Sequence, residues 1–147
     1  MNTSKVEILL VEDNPHDAEI AMRALKQHNL ANRIVHVSDG KDALDFIFGP
    51  DPSSPTYNQM PRIILLDLKL PRVGGLEVLK AIKKDPVARR IPVVVLTSSR
   101  EETDLVASYD LGANSYLVKP VDFDKFSEAI KDFGLYWLLL NQQPYQA

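Results

Sequence analysis

Cysteine is absent from the 147 residues, which excludes a disulfide framework, a thiolate zinc site and a cysteine nucleophile. No apolar run approaches the ~20 residues that span a bilayer, so no membrane association is expected. The N-terminus, Met-Asn-Thr-Ser-Lys, leads straight into a short apolar segment broken by Glu12 and Asp13, too brief for the core of a signal peptide. A cytoplasmic protein is the expectation. A basic excess is also missing: 17 Lys and Arg face 20 Asp and Glu, a formal net charge of -3, which argues against a nucleic-acid partner. Neither a G-x-G-x-x-G nor a Walker loop occurs, and no internal repeat stands out. The length suits one domain with one core.

What the chain does contain is an alternation of short, β-branched apolar runs with segments of helical period. Residues 6 to 11, 33 to 37, 62 to 66, 92 to 96 and 115 to 118 read as strands. Three of these are almost continuously apolar, as central parallel strands buried on both faces require. The first helix opens with Asn14 as N-cap, Pro15 in the first turn and Asp17 near the positive end of the dipole, and buries Ala18, Ala21, Met22 and Leu25. A second helix begins near Asp39 and stops at Gly49, a third runs from about Gly75 to Lys84, a fourth follows Arg100 up to Gly112, and a fifth starts after Asp122. Five βα units predict an α/β fold: a flavodoxin-like, doubly wound, five-stranded parallel sheet of order 2-1-3-4-5 with five helices. Residues 50 to 61, rich in Pro and Ser, form a helix-to-strand connection longer than the usual ~2–6 residues. It falls at the edge of the sheet away from ligands, and reads either as a mobile excursion or as a partner-binding loop.

The polar residues at the strand ends carry the chemistry. Glu12 and Asp13 close the first strand, Asp67 the third, Thr97 and Ser98 the fourth and Lys119 the fifth. In the expected order strands one and three are neighbours, so three carboxylates meet in one crevice. Two carboxylates ~4 Å apart repel by about 4 kcal/mol at an effective dielectric of ~20, and Lys119 alone cannot neutralise three charges. An all-oxygen donor set favours a hard cation, magnesium rather than calcium. Beside such an ion Asp67 is positioned to attack a phosphoryl group, with Lys119 and the Thr97 hydroxyl to meet its oxygens. The plain alternative makes Asp13 and Asp67 turn residues, but it leaves Lys119 and Thr97 unexplained.

The segments ILLVEDN at 8 to 14, IILLDLKLP at 63 to 71, VVVLTSS at 93 to 99 and GANSYLVKP at 112 to 120 resemble the receiver domains of two-component response regulators. The resemblance covers roughly residues 5 to 134, within a single domain of 1–147 whose last residues, 135–147, form a helix extension and tail. It implies that Glu12 and Asp13 hold magnesium with Asp67 and the Lys69 backbone carbonyl, that Asp67 is the phosphoacceptor, and that Lys119 contacts the phosphoryl group. It makes Thr97 and Tyr116 a switch pair acting on the α4-β5-α5 face, although Tyr116 also fits a half-buried strand aromatic. It further implies a cis Lys119–Pro120 bond, a histidine kinase as partner, and a protein that is no conventional enzyme but catalyses its own phosphorylation from phosphohistidine and its own dephosphorylation. Lys69 and Ser99 occupy positions that tune phosphate lifetime in that family; a lysine reaching into solvent is the other reading of Lys69. His16, His28 and His36 are scattered, and all three read as structural.

The C-terminal run Leu135 to Leu140 carries apolar residues around most of a helix. A fifth helix from Phe123 to Leu140 would be ~27 Å long at ~1.5 Å per residue. Phe133, Tyr136, Trp137 and Leu140 are therefore candidates for a homodimer contact, the alternative being a tail folded on its own domain. Together with the 50–61 insertion, this ending resembles the stand-alone response regulators that partner phytochrome-type histidine kinases.

Overall fold

The structure is a computed structural model that describes residues 7–27, 33–51, 53–57, 60–98 and 107–130. Five parallel strands, β1 (Ile8–Val11), β2 (Ile34–Val37), β3 (Ile63–Asp67), β4 (Val93–Thr97) and β5 (Ser115–Val118), lie in the order β2-β1-β3-β4-β5. Helices α1 (Pro15–Gln27), α2 (Gly40–Phe48) and α3 (Gly75–Lys84) connect them, a 3-10 turn at Ala88–Arg90 precedes β4, residues 107–110 are helical (α4), and α5 spans Phe123–Ile130. Each strand agrees with its expected span to within two residues. The start of the fourth helix and everything after Ile130, including Phe133, Tyr136, Trp137 and Leu140, lie outside the described residues.

The continuous apolar runs are explained by burial on both faces: every residue of β1, β3 and β4 is buried, while the edge strands β2 and β5 are mostly half-buried. Alternation along each strand divides the core in two. Ile8, Leu10, Ile63, Leu65, Val94 and Leu96 pack with Ala21 and Leu25 of α1 and Phe126 and Ile130 of α5. Their neighbours Leu9, Val11, Ile64, Leu66, Val93 and Val95 face Ala43 and Ile47 of α2 and Val78, Leu79 and Ile82 of α3. The sheet register Val11↔Leu66 and Leu66↔Val95 then aligns the C-terminal ends of the three central strands.

Helix starts are set by local polar chemistry. Asn14 Oδ1 accepts from the Asp17 N–H at 2.9 Å and Asp39 Oδ1 accepts from the Asp42 N–H at 2.8 Å, the N-cap geometry that satisfies an orphan donor. α3 starts differently. The N–H of Gly75 donates to the Leu68 carbonyl at 2.9 Å, and a Cβ there would collide with the Asp67 carbonyl oxygen and the Leu68 backbone. Glycine at this position lets the helix close directly on the end of β3. The same loop is tied to α2 by Arg72, which takes positive φ (67°) and donates to both Asp39 carboxylate oxygens and to Asp42.

The insertion is anchored at its described positions. The Thr56 N–H donates to the Phe48 carbonyl at 3.0 Å. The Tyr57 ring meets Phe48 edge-on at 6.2 Å, and its hydroxyl donates to Asp85 Oδ1 at 2.8 Å. Asp85 in turn accepts from the N–H groups of Val87 and Ala88, so one carboxylate holds both the insertion and the turn before β4. Among the described residues no helix is long and apolar enough to cross a membrane.

Candidate functional site at the C-terminal edge of the sheet

Strand β1 ends at Val11, so Glu12 and Asp13 leave the sheet beside Asp67, the last residue of β3, where the chain turns to α1 on one face and to α3 on the other. Carboxylate oxygens of Glu12, Asp13 and Asp67 lie within 4.8 Å of one another. Glu12 is 1% exposed and Asp67 is buried, whereas Asp13 is open to solvent. Backbone donors steer the first two: the Asn14 N–H reaches Glu12 Oε2 at 3.1 Å and the Lys69 N–H reaches Asp67 Oδ1 at 3.2 Å.

Lys119 enters from the end of β5, positioned by its own N–H donating to the Thr97 carbonyl at 2.8 Å. Its Nζ reaches Glu12 at 3.0 and 3.2 Å, Asp17 at 3.1 Å and Asp67 at 3.2 Å. Lys119–Pro120 is cis, as the family resemblance implies. Asp13, Asp17, Asp67, Lys69, Thr97, Ser98 and Lys119 line one open pocket. Thr97 is buried at its wall. Tyr116 is half-buried and stacks edge-on with Tyr109 at 6.3 Å. Its register partner is Val95, two residues before Thr97, so Thr97 and Tyr116 lie on the same face of the sheet.

Electrostatics mark the pocket as short of positive charge. Burial, and then the hydrogen bond shared with Asp67, push the Glu12 carboxyl up to about 7, against the pull of Lys119 and the Asn14 N–H. Burial works against the Lys119 charge, but its bonds to Glu12 and Asp17 and the charge of Asp67 hold it above its ordinary range. A divalent cation fits this surplus. The donors are all oxygen and lie within 4.8 Å of one another, near enough to share one hard cation. Glu12, Asp13 and Asp67 are the residues that would hold it.

The sequence places Glu12, Asp13, Asp67, Thr97, Ser98 and Lys119 at one edge of the sheet and gives Asp17 only as a helix-dipole residue; the structure brings Asp17 to the same lysine. A spacing of one turn from Glu12 and Asp13 on α1 was the available signal, but it does not disclose that Lys119 would turn toward it. His36 is at an edge position, and one ring nitrogen lies 2.8 Å from the Glu12 carbonyl, a structural contact. His16 is exposed on the first turn of α1.

Residues 8–131 match the response regulator receiver domain. The chain is 42% identical over 137 residues to the probable methanogenesis regulatory protein FilR2 of Methanothrix harundinacea, covering 93% of this chain and 86% of that protein. It is 40% identical over 139 residues to response regulator Rcp1 of Synechocystis, covering 93% and 91%. Among solved structures, the bacteriophytochrome response regulator AtBRR superposes with a TM-score of 0.78 at 50% identity, over 95% of this chain and 99% of that one. A Mn(2+)-bound form of response regulator Rcp1 superposes with a TM-score of 0.71 at 38% identity, over 98% and 100%.

Proposed function

Since the chain belongs to the response regulator receiver domain family, we propose that it is a stand-alone, cytoplasmic response regulator that accepts a phosphoryl group from a histidine kinase on Asp67. The observation that carries this reading is the convergence on Asp67 of a cation-competent carboxylate pair, Glu12 and Asp13, with the Lys119 ammonium. An Asp67 oxygen attacks phosphorus as the P–N bond of the kinase phosphohistidine breaks, and the imidazole leaves with that electron pair. Lys119 and the Thr97 hydroxyl then meet phosphoryl oxygens. Magnesium bound by Glu12, Asp13, Asp67 and the Lys69 carbonyl would offset charge on the transferred group. The Mn(2+)-bound Rcp1 neighbour supports a divalent ion.

The bacteriophytochrome response regulators among the neighbours support a phytochrome-type kinase as the partner. Thr97 and Tyr116 are the switch pair of this reading: movement of the hydroxyl toward the phosphate frees space for the ring, and the α4-β5-α5 face changes. The size of that change is limited by the difference in phosphate contacts between the two states. A homodimer through Phe133, Tyr136, Trp137 and Leu140 completes the proposal. Lys69, exposed at the rim, sets phosphate lifetime.

Intact mass after exposure to a small-molecule acyl phosphate tests the chemistry. A gain of one phosphoryl group that needs magnesium and vanishes in Asp67→Asn is the expected result. No gain in the wild type would favour an interaction module of the same fold that no longer uses phosphate.

A further inference from the structure

An ammonium has three N–H donors and no acceptor, and three carboxylates engage that of Lys119: Glu12, Asp17 and Asp67. Two of the three belong to the group that could hold a cation, Glu12, Asp13 and Asp67; Asp17 does not. A divalent ion on Glu12 and Asp67 takes lone pairs that now face Lys119 and repels its charge. Among the described contacts, Asp17 is then the acceptor left. The Lys119 side chain is only 13% exposed, a depth at which losing its partners is expensive. Asp17 is 31% exposed, so water supports its charge throughout. Its place is fixed on the first turn of α1, with its N–H held by Asn14.

We propose that Asp17 is a positioning residue that takes up the Lys119 ammonium when a divalent cation enters the carboxylate cluster. The inference rests on the receiver reading of the site, and it extends that reading to a residue outside the cluster. Without Asp17, Lys119 stays on Glu12 and Asp67 and competes with the ion. Asp17 therefore favours cation binding by more than its own negative charge, and it keeps the ammonium on the pocket wall beside Asp67, where phosphoryl oxygens would arrive.

A double-mutant cycle on the full chain separates this from a remote charge effect. Magnesium is titrated calorimetrically into wild type, Asp17→Asn, Lys119→Met and the double variant. Asp17→Asn is expected to weaken magnesium binding about tenfold when Lys119 is present and only about two- to threefold in the Lys119→Met background, a coupling of the size seen between contacting residues. Equal losses in both backgrounds, or none in either, would overturn the proposal. Asp17→Glu gives a check that needs no change at Lys119: a longer carboxylate still reaches the ammonium, so affinity near wild type supports the role, and a loss as large as that of Asp17→Asn overturns it. A wild type that binds no magnesium overturns it together with the cation site. A wild type that binds magnesium but takes no phosphoryl group on Asp67 sinks the receiver chemistry while the cycle still decides the role of Asp17.

Discussion

Glu12 holds its proton up to about pH 7 instead of 4.5, chiefly because burial opposes its charge. The folded chain thus binds a proton that the unfolded chain releases, and the sign follows by linkage: the contribution to stability is fully present below about 4.5 and is lost as pH rises through about 7. A metal ion needs the carboxylate free of its proton, so binding must expel it. Titrating magnesium at about pH 6 in buffers of different ionisation enthalpy should report release of close to one proton, falling toward none at about pH 8. No release at the lower pH would mean that Glu12 is already ionised or is not a ligand. At this scale the sequence was informative about residue type and poor about partners. That Glu12, Asp67 and Lys119 share an edge followed from strand ends and sheet order. Which carboxylates Lys119 would choose depends on side-chain reach from β5 to α1, a relation that spacing along one element does not encode.

Elements differ in how sharply they depend on single positions, and the start of α3 gives a direct test. Two glycines adjoin there: nothing lies within 4 Å of a Cβ on Gly74, while one on Gly75 meets the backbone of Asp67 and Leu68. Gly75→Ala is expected to cost about 1–3 kcal/mol in urea unfolding, and Gly74→Ala to stay within about 1 kcal/mol. Equal effects would show that the loop yields. Because the collision is with the carbonyl of Asp67, the proposed phosphoacceptor, Gly75→Ala should also slow phosphorylation if that proposal holds. The strands and the starts of α1, α2 and α5 were legible because burial period and the capping residues Asn14, Asp39 and Asp122 are local signals. The insertion was less so: its composition suggests a mobile excursion, yet Tyr57 is tied to Asp85, 28 residues away, a contact that neither composition nor length reveals.

Across the whole molecule, the doubly wound order was readable because parallel strands joined by short crossovers leave few arrangements. Assembly is a separate matter, argued from the apolar excess at residues 135 to 140. Trp137→Ala is expected to shift a dimer toward monomer in sedimentation velocity, and an unchanged distribution would assign that excess to another partner. The sheet order has a further consequence in time. Lys119 meets Glu12 across 107 residues, and the strand that carries it is the last to be made. At about 5–20 residues per second of synthesis, a growing chain carries its first carboxylates for roughly 5–20 s before the lysine exists, longer before it clears the ribosome. On the proposed reading, the phosphoryl-accepting site is therefore incomplete in a nascent chain until β5 and Lys119 have been made and have joined the sheet.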